Sequence, residues 1–288
     1  TRPENGQPGL QIGYAPAGFA IRTIRKIDAA AQKRAKETNS KRKEPRWLLP
    51  DDVELPAPGD VAHPAIWGTK TENSFYFDRI KSHLPAITQA NLAPLWPGEK
   101  FEHYTGTSVP EVSASLSGMW RITVPEWDPR LPSPVAKREA GSDIWVSSEI
   151  IRLYQAEGVM PDISEAWLAP SHRIPALEDF ASQLRSWLDA MKDTDAELIP
   201  KLMYQTLAGR LYSEVGYGRY NDIDRPDWGY AIRDNSWCST VRHTYKIARE
   251  HGIYPTAVFT DALYYETNVL KLLPHEDRPG HFILKPES

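Results

Sequence analysis

The chain of 288 residues predicts an α+β fold: an antiparallel sheet backed by helices, with a short helical insertion. Three observations carry that expectation. Short apolar runs bounded by turn residues recur at 74–78, 119–124 and 143–146, and read as buried strands. Residues 256–261 and 263–267 lie on either side of a polar turn, as the arms of a hairpin do. Helical periodicity falls between these runs, but without the regular strand–helix–strand alternation that a parallel sheet needs.

Taken in order, residues 1–20 are rich in Gly, Pro and Ala and read as irregular. From residue 21 to about residue 36, Ile21, Ile24, Ile27 and Ala30 recur at helical spacing. Between them stand Arg22, Arg25, Lys26, Lys33, Arg34 and Lys36, and Lys41, Arg42, Lys43 and Arg46 continue the positive charge. In a chain whose net charge is −4, this is either a solvated helix face or an arm that contacts phosphate. Residues 49–72 read as a linker or extended wrap, and the strand at 74–78 ends in Asp78. Ser147, Ser148 and Glu149 open a helix to about residue 157, with Gly158 just past its end. Phe180, Leu184, Trp187, Leu188 and Met191 mark an amphipathic helix over 177–192. Pro200 occupies the first turn of a helix over 201–212, and a further helix over 239–250 is ended by Gly252.

Composition excludes several classes. With 41 % hydrophobic residues the chain can bury a sizeable core. Its single cysteine, Cys238, rules out an internal disulfide framework and fits a reducing, cytoplasmic location. No apolar run approaches the roughly 20 residues of a membrane span. The chain begins at Thr1, as a trimmed or excised segment would. Residues 221–227 lack the glycine and distal glutamate of a calcium loop, His275 and His281 lack zinc-ligand register, and Cys238 with His243 reads as structural. The tryptophans are scattered, with Trp120, Trp145 and Trp187 in the expected core, which disfavours a sugar-stacking hydrolase using some other carboxylate pair. Neither common Gly-rich phosphate loop is present.

What remains is a constellation. Lys201, Gln205 and Ala208/Gly209 fall near one helical face, Asp78 ends a strand, and Asp261 sits at a hairpin tip. Two aspartates from separate strands and a helix lysine are the parts needed to hold metal ions and a triphosphate, the chemistry of nucleotidyl transfer. The plainer reading is that each aspartate caps a turn. A cation near a helix start opposes the helix dipole, however, so an anion beside Lys201 is expected.

These residues resemble the palm and fingers of family-B DNA polymerases, most closely the protein-primed branch. Residues 76–85 (Tyr76, Phe77, Asp78 through His83, Leu84 and Pro85) look like the first motif, a strand ending in a metal-binding aspartate followed by a proline turn. Lys201, Gln205, Thr206 and Ala208-Gly209 keep the spacing of the second, and Phe259-Thr260-Asp261-Ala262 stands where the hairpin motif would. Residues 145–150 are similar to the approach to the fingers, and residues 280–285 to a later lysine element.

The resemblance implies Asp78 and Asp261 as paired ligands of Mg²⁺ or Mn²⁺, and Lys201, Gln205, Thr206 and His83 around a deoxynucleoside triphosphate. It places Lys285, with Arg22, Arg25 and Lys26, on the DNA backbone, and adds a priming or terminal protein as a partner. It divides the chain into a basic arm (1–50), a first palm part (51–147), a fingers-like insertion (148–215) and a second palm part (216–288). The sequence departs from the family at Phe259, where a hairpin carboxylate is usual, and at His83 and Ala208, where tyrosines are. The implied activity is therefore DNA synthesis by a two-metal site, or a derivative of it. The alternative is an inactive DNA-binding scaffold on a degraded palm.

Overall fold

A computed structural model describes most of residues 55–286, apart from 90–91, 94, 96–98, 114–115, 171–176 and 212–224, together with isolated positions between 20 and 33. The architecture is α+β, with two antiparallel sheets backed by helices.

The first sheet has five strands in the order β1-β7-β8-β2-β9. They are β1 (Ile66–Gly68), β7 (Ala257–Phe259), β8 (Ala262–Tyr265), β2 (Phe75–Arg79) and β9 (Phe282–Lys285). The sheet joins segments distant in the chain: β2 lies between β8 and β9, which come from the last thirty residues or so of the sequence. The second sheet, β3-β6-β4-β5, is formed by Glu102–Thr105, Asp162–Leu168, Gly118–Thr123 and Asp143–Ser147. The strands expected at 119–124 and 143–146 pair with each other, in a sheet separate from the one that carries Asp78.

Helices α1 (His83–Gln89), α2 (Ser148–Ala156), α3 (Glu178–Ala190), α4 (Leu198–Leu211) and α5 (Pro226–His251) complete the fold. Ser147 caps α2 by accepting the Glu149 N–H, as the sequence indicates. The 26-residue α5 is far longer than the helix expected at 239–250, and at 1.5 Å per residue runs about 39 Å. Pro226 stands in its first turn and Gly252, at φ 67°, ends it in the left-handed conformation. Pro200 sits in the first turn of α4 as expected, although the helix begins at Leu198, and its missing N–H costs no helical bond there.

Two cores hold these layers. In the first, α5 contributes Trp237, Cys238, Val241 and Tyr245. It packs them against Phe77, Val258, Leu263, Tyr265 and Phe282 of the five-stranded sheet, and against Trp120, Val146 and Ala166 of the other sheet. Each such side chain contributes about 1.5–3 kcal/mol on full burial, so α5 is the central rod of the fold. The second core is helical, joining Leu84 and Ile87, Phe180 and Leu184, Met203 and Leu207, and Trp228 and Ile232. Ala20 and Ile24 join it from the helical positions between 20 and 33. Trp145 and Trp187, expected in the core, are only partly buried. Among the described residues no helix is long and apolar enough to cross a membrane.

Candidate functional site

Strand alternation decides what faces outward from the five-stranded sheet. Phe77 and Arg79 of β2 are buried beneath it, so Tyr76 and Asp78 point to the opposite face. Asp78 lies opposite Ala262 of β8 and Ile283 of β9, and Tyr76 opposite Tyr264 and Lys285. Directly opposed residues share a face, so Asp78, Lys285 and the residue after Asp261 stand side by side.

The β7–β8 connection is a two-residue turn, Thr260-Asp261, with Thr260 at φ 52°. A β-branched residue avoids that region, and backbone strain of this sort is held only where surrounding contacts fix it. Here the Thr260 hydroxyl donates to Asp261 Oδ1 at 2.9 Å, and its N–H donates to the Ala65 carbonyl.

The two aspartates sense one another. Burial first, and then the negative charge of Asp261, raise the Asp78 carboxyl above the usual carboxylate range. Lys285, the Arg79 backbone N–H and Lys201 act against that rise. Lys285 Nζ lies 3.8 Å from Asp78 Oδ2. Tyr76 hydrogen-bonds to Asp78 through its hydroxyl, and burial together with the two carboxylates pushes that phenol up to about 12.

Beneath the turn, Ser82 is 2 % exposed and donates to Asp261 Oδ2. Its Oγ also lies 3.2 Å from His83 Nδ1. A serine hydroxyl has one proton, so with that proton on Asp261 the oxygen accepts from His83, which assigns the Nδ1–H tautomer. Burial lowers the His83 proton affinity and keeps the ring neutral. Arg79 is buried below, donating to the Gly280 carbonyl at 2.9 Å and to Ser239 Oγ at 2.8 Å. Desolvation brings its guanidinium down to about 10, and Asp261 resists that fall, so it stays a cation at neutral pH.

Helix α4 is docked from the side. Lys81, at the loop leaving β2, pairs with Glu197 at 3.2 Å, immediately before α4. Lys201 is exposed one turn later, and its charge reaches both Glu197 and Asp78. Glu197, whose ion pair is with Lys81, is thus an anion within electrostatic reach of Lys201. Gln205 is exposed one turn further along, whereas the Thr206 hydroxyl donates back to the Leu202 carbonyl at 2.7 Å. Tyr204, on the buried side, senses Glu197 and Asp261.

Of the residues singled out in the sequence, Asp78, Asp261, Lys201, Lys285 and His83 therefore come together. Gln205 and Thr206 follow on the same helix, with the Thr206 hydroxyl engaged within it. Arg22 and Lys26 lie on the helical positions near residue 24, Arg25 lies outside the described residues, and the side chains of Ala208 and Gly209 are not described. Phe259 faces the same side as Asp78 and packs on Tyr264 with ring centroids 5.1 Å apart. Cys238 is buried with its thiol pushed up by desolvation, as a structural cysteine would be. Arg79, Ser82 and Tyr264 were given no role in the sequence, and Tyr76 appeared only as the start of the first motif. Ser82 and Arg79 lie in the segment that carries Asp78, but their partners are distant in the chain and leave no local pattern. Among the described residues no group of three or more His, Cys, Asp or Glu side chains forms a metal cluster, so the acidic donors here are two.

Comparison by sequence finds no matching family model and no similar curated protein. Comparison by structure finds Phi29 DNA polymerase. Its orthorhombic crystal form matches with a TM-score of 0.54 at 11 % identity, over 93 % of this chain and 52 % of that one. The same polymerase complexed with primer-template DNA gives 0.56 at 14 %, over 92 % and 51 %, and complexed with single-stranded DNA gives 0.52 at 15 %, over 93 % and 51 %. The chain thus spans about half the length of the solved structures it matches, and at this identity the likeness is one of fold.

Proposed function

We propose that the chain transfers a nucleotidyl group onto a DNA 3′ end, on the sheet face that carries Asp78 and Asp261. One observation supports this above the rest: two acids far apart in the chain, on β2 and on the β7–β8 turn, lie near enough for the charge of Asp261 to act on Asp78, as do those of Lys201 and Lys285. The polymerase-like fold agrees with it.

The donor set suits Mg²⁺ or Mn²⁺, since two partly exposed carboxylates offer hard oxygens and leave room for the waters such ions keep. Asp78 and Asp261 would hold the ion. When bound, it would neutralise charge around the transferred phosphorus and favour the ionised 3′ oxygen. The chain's own residues do the rest. Ser82 and Thr260 fix both oxygens of Asp261, and Lys285 with the Tyr76 hydroxyl favours the anionic form of Asp78. Lys201, exposed on α4, holds the triphosphate of the incoming deoxynucleotide as a point charge. His83, neutral and fixed by Ser82, would pack against the sugar. A priming protein, whose hydroxyl would be the first acceptor, is the further partner, and the cytoplasm the proposed location.

A second reading has its own observation. Phe259 packs on Tyr264 where a third carboxylate would stand, which favours a DNA-binding scaffold that has lost turnover.

Mn²⁺-dependent incorporation of labelled deoxynucleotide on a primed template separates the two. Incorporation that falls to background in Asp78→Asn and Asp261→Asn is expected. A wild type that binds DNA without incorporating overturns transfer in favour of the scaffold. Incorporation that survives both substitutions overturns the site.

A further inference from the structure

The open face of the five-stranded sheet holds more than the two carboxylates. Tyr76 and Tyr264, opposite one another on β2 and β8, stack with centroids 5.1 Å apart and planes 6° from parallel. Phe259 on β7 extends the row, tilted by 55° against Tyr264 at 5.1 Å. Ile66 of β1, paired with Phe259, continues it at 47 % exposure. Three rings thus lie across two strand spacings, about 10 Å. Tyr264 is the covered member, while Tyr76 and Phe259 on its flanks stay partly exposed. On the opposite face of this sheet, Phe77 and Tyr265 go into the core. Here they form a small cluster of their own with Ala257 and Ala262.

Charge frames the row. Lys70 reaches over Tyr264 with its ammonium 5.9 Å from the ring centroid, and Lys285 stands beside Tyr76 at the opposite edge. Asp78 and Asp261 lie next to the rings. A polyanion crossing this face is repelled above the carboxylates and held at the two lysine flanks, while uncharged, flat groups settle over the rings. A single nucleic-acid strand has that distribution, with phosphates outside and unpaired bases free to turn inward. A duplex hides its base faces in its own stack.

We infer that the partly exposed Tyr76 and Phe259 rings, braced by the buried Tyr264 between them, are a stacking platform for unpaired bases of single-stranded DNA, with Lys70 and Lys285 as its phosphate contacts. The inference rests on the proposed transfer site only for the orientation of the strand, whose 3′ end would lie toward Asp78 and Asp261. Phe259, a departure from the polymerase pattern, is in this reading a working part of the surface.

The test is fluorescence anisotropy with a labelled oligothymidylate of about 12 nucleotides, within the usual range for one binding surface. An abasic strand of equal length and a duplex are the comparison ligands. Neither metal nor nucleotide is added, so the result is independent of turnover. Phe259→Leu keeps apolar bulk but removes the ring, and is expected to weaken oligothymidylate binding about tenfold while leaving the abasic strand unchanged. Phe259→Trp should restore binding. Lys70→Met should reduce the dependence of log affinity on log salt by about 0.7 for both strands. Melting curves identify any variant that has lost its fold. The inference is overturned if wild type binds the abasic strand as well as the base-bearing one, if it prefers the duplex, or if a folded Phe259→Leu protein binds oligothymidylate undiminished. Binding that behaves as expected without incorporation sinks the transfer reading alone, and incorporation without ring-dependent binding sinks this one alone.

Discussion

Ser82→Ala tests whether the acids of the site are held by design of the surrounding chain. The hydroxyl is 2 % exposed, donates to Asp261 Oδ2 and accepts from His83 Nδ1. A hydrogen bond to an ionised group contributes about 1.5–3 kcal/mol, and a buried donor left unpaired costs about 1–3 kcal/mol. Asp261 is only partly buried, so water replaces part of the loss on its side. His83 is more enclosed and recovers less. The net destabilisation is therefore about 2 kcal/mol, which for a domain near this size lowers the melting temperature by about 4–8 °C. Calorimetry on Ser82→Ala, His83→Ala and the double variant measures it. The two losses should overlap, giving a coupling energy of about 1 kcal/mol, within the range for residues in one hydrogen-bonded chain. A Ser82→Ala protein melting within about 1 °C of wild type, with strictly additive variants, would refute the hydrogen-bonded support drawn for Asp261.

Two further predictions concern the scaffold. Burial, then the charges of Arg79, Lys246 and His281, lower the His243 imidazole to about 4. The unfolded chain takes up a proton there near pH 6.5 and the folded chain does not until about pH 4. Stability from this group is therefore present above pH 6.5 and falls as pH drops to 4, by something on the order of 3 kcal/mol. Urea unfolding between pH 7 and pH 4.5 should show that loss, and His243→Phe, which keeps a ring against Phe282, should flatten it; an unchanged slope refutes the assignment. At Gly118, a Cβ would lie 1.9 Å from the Trp167 carbonyl oxygen, whereas at Gly141 it meets nothing within 4 Å, although φ is 81°. Gly118→Ala should cost about 3 kcal/mol or more by forcing β4 from β6, and Gly141→Ala only about 1 kcal/mol of backbone strain; equal losses by denaturant titration would contradict the close approach of those strands.

The parts of the fold legible in the sequence are those with strong local patterns. Residues 74–78 and the hairpin around Asp261 stand out because apolar runs end at a polar turn, and α2 because its cap residues are explicit. The misses have physical causes. β1 is three residues long in a Pro- and Asp-rich stretch, held by pairing with β7 and not by propensity. β3 reads Glu-His-Tyr-Thr, with little apolar alternation. The first half of α5 contains Trp228-Gly229, Asp234 and Asn235, poor helix formers that tertiary burial overrides. Pro226 was the signal for its start. The site divides the same way. Asp78, Asp261 and Lys201 were found by position within their own elements, whereas Ser82 and Arg79 gain meaning only from partners on the hairpin and on α5.

Asp78 gains no stability from its place in the sheet. Burial and Asp261 both work against its charge, and Lys285, the Arg79 backbone N–H and Lys201 offset only part of that cost. Nearby, a β-branched residue takes a positive φ, and the Tyr76 and Phe259 rings stay partly exposed. Sequences ordinarily agree with their folds at every level, and local conflicts of this kind gather where a ligand relieves them. Three independent conflicts, electrostatic, conformational and hydrophobic, meet within one face of a single sheet. A cation between the carboxylates would relieve the first, and bases over the rings the third, so one ligand complex answers both.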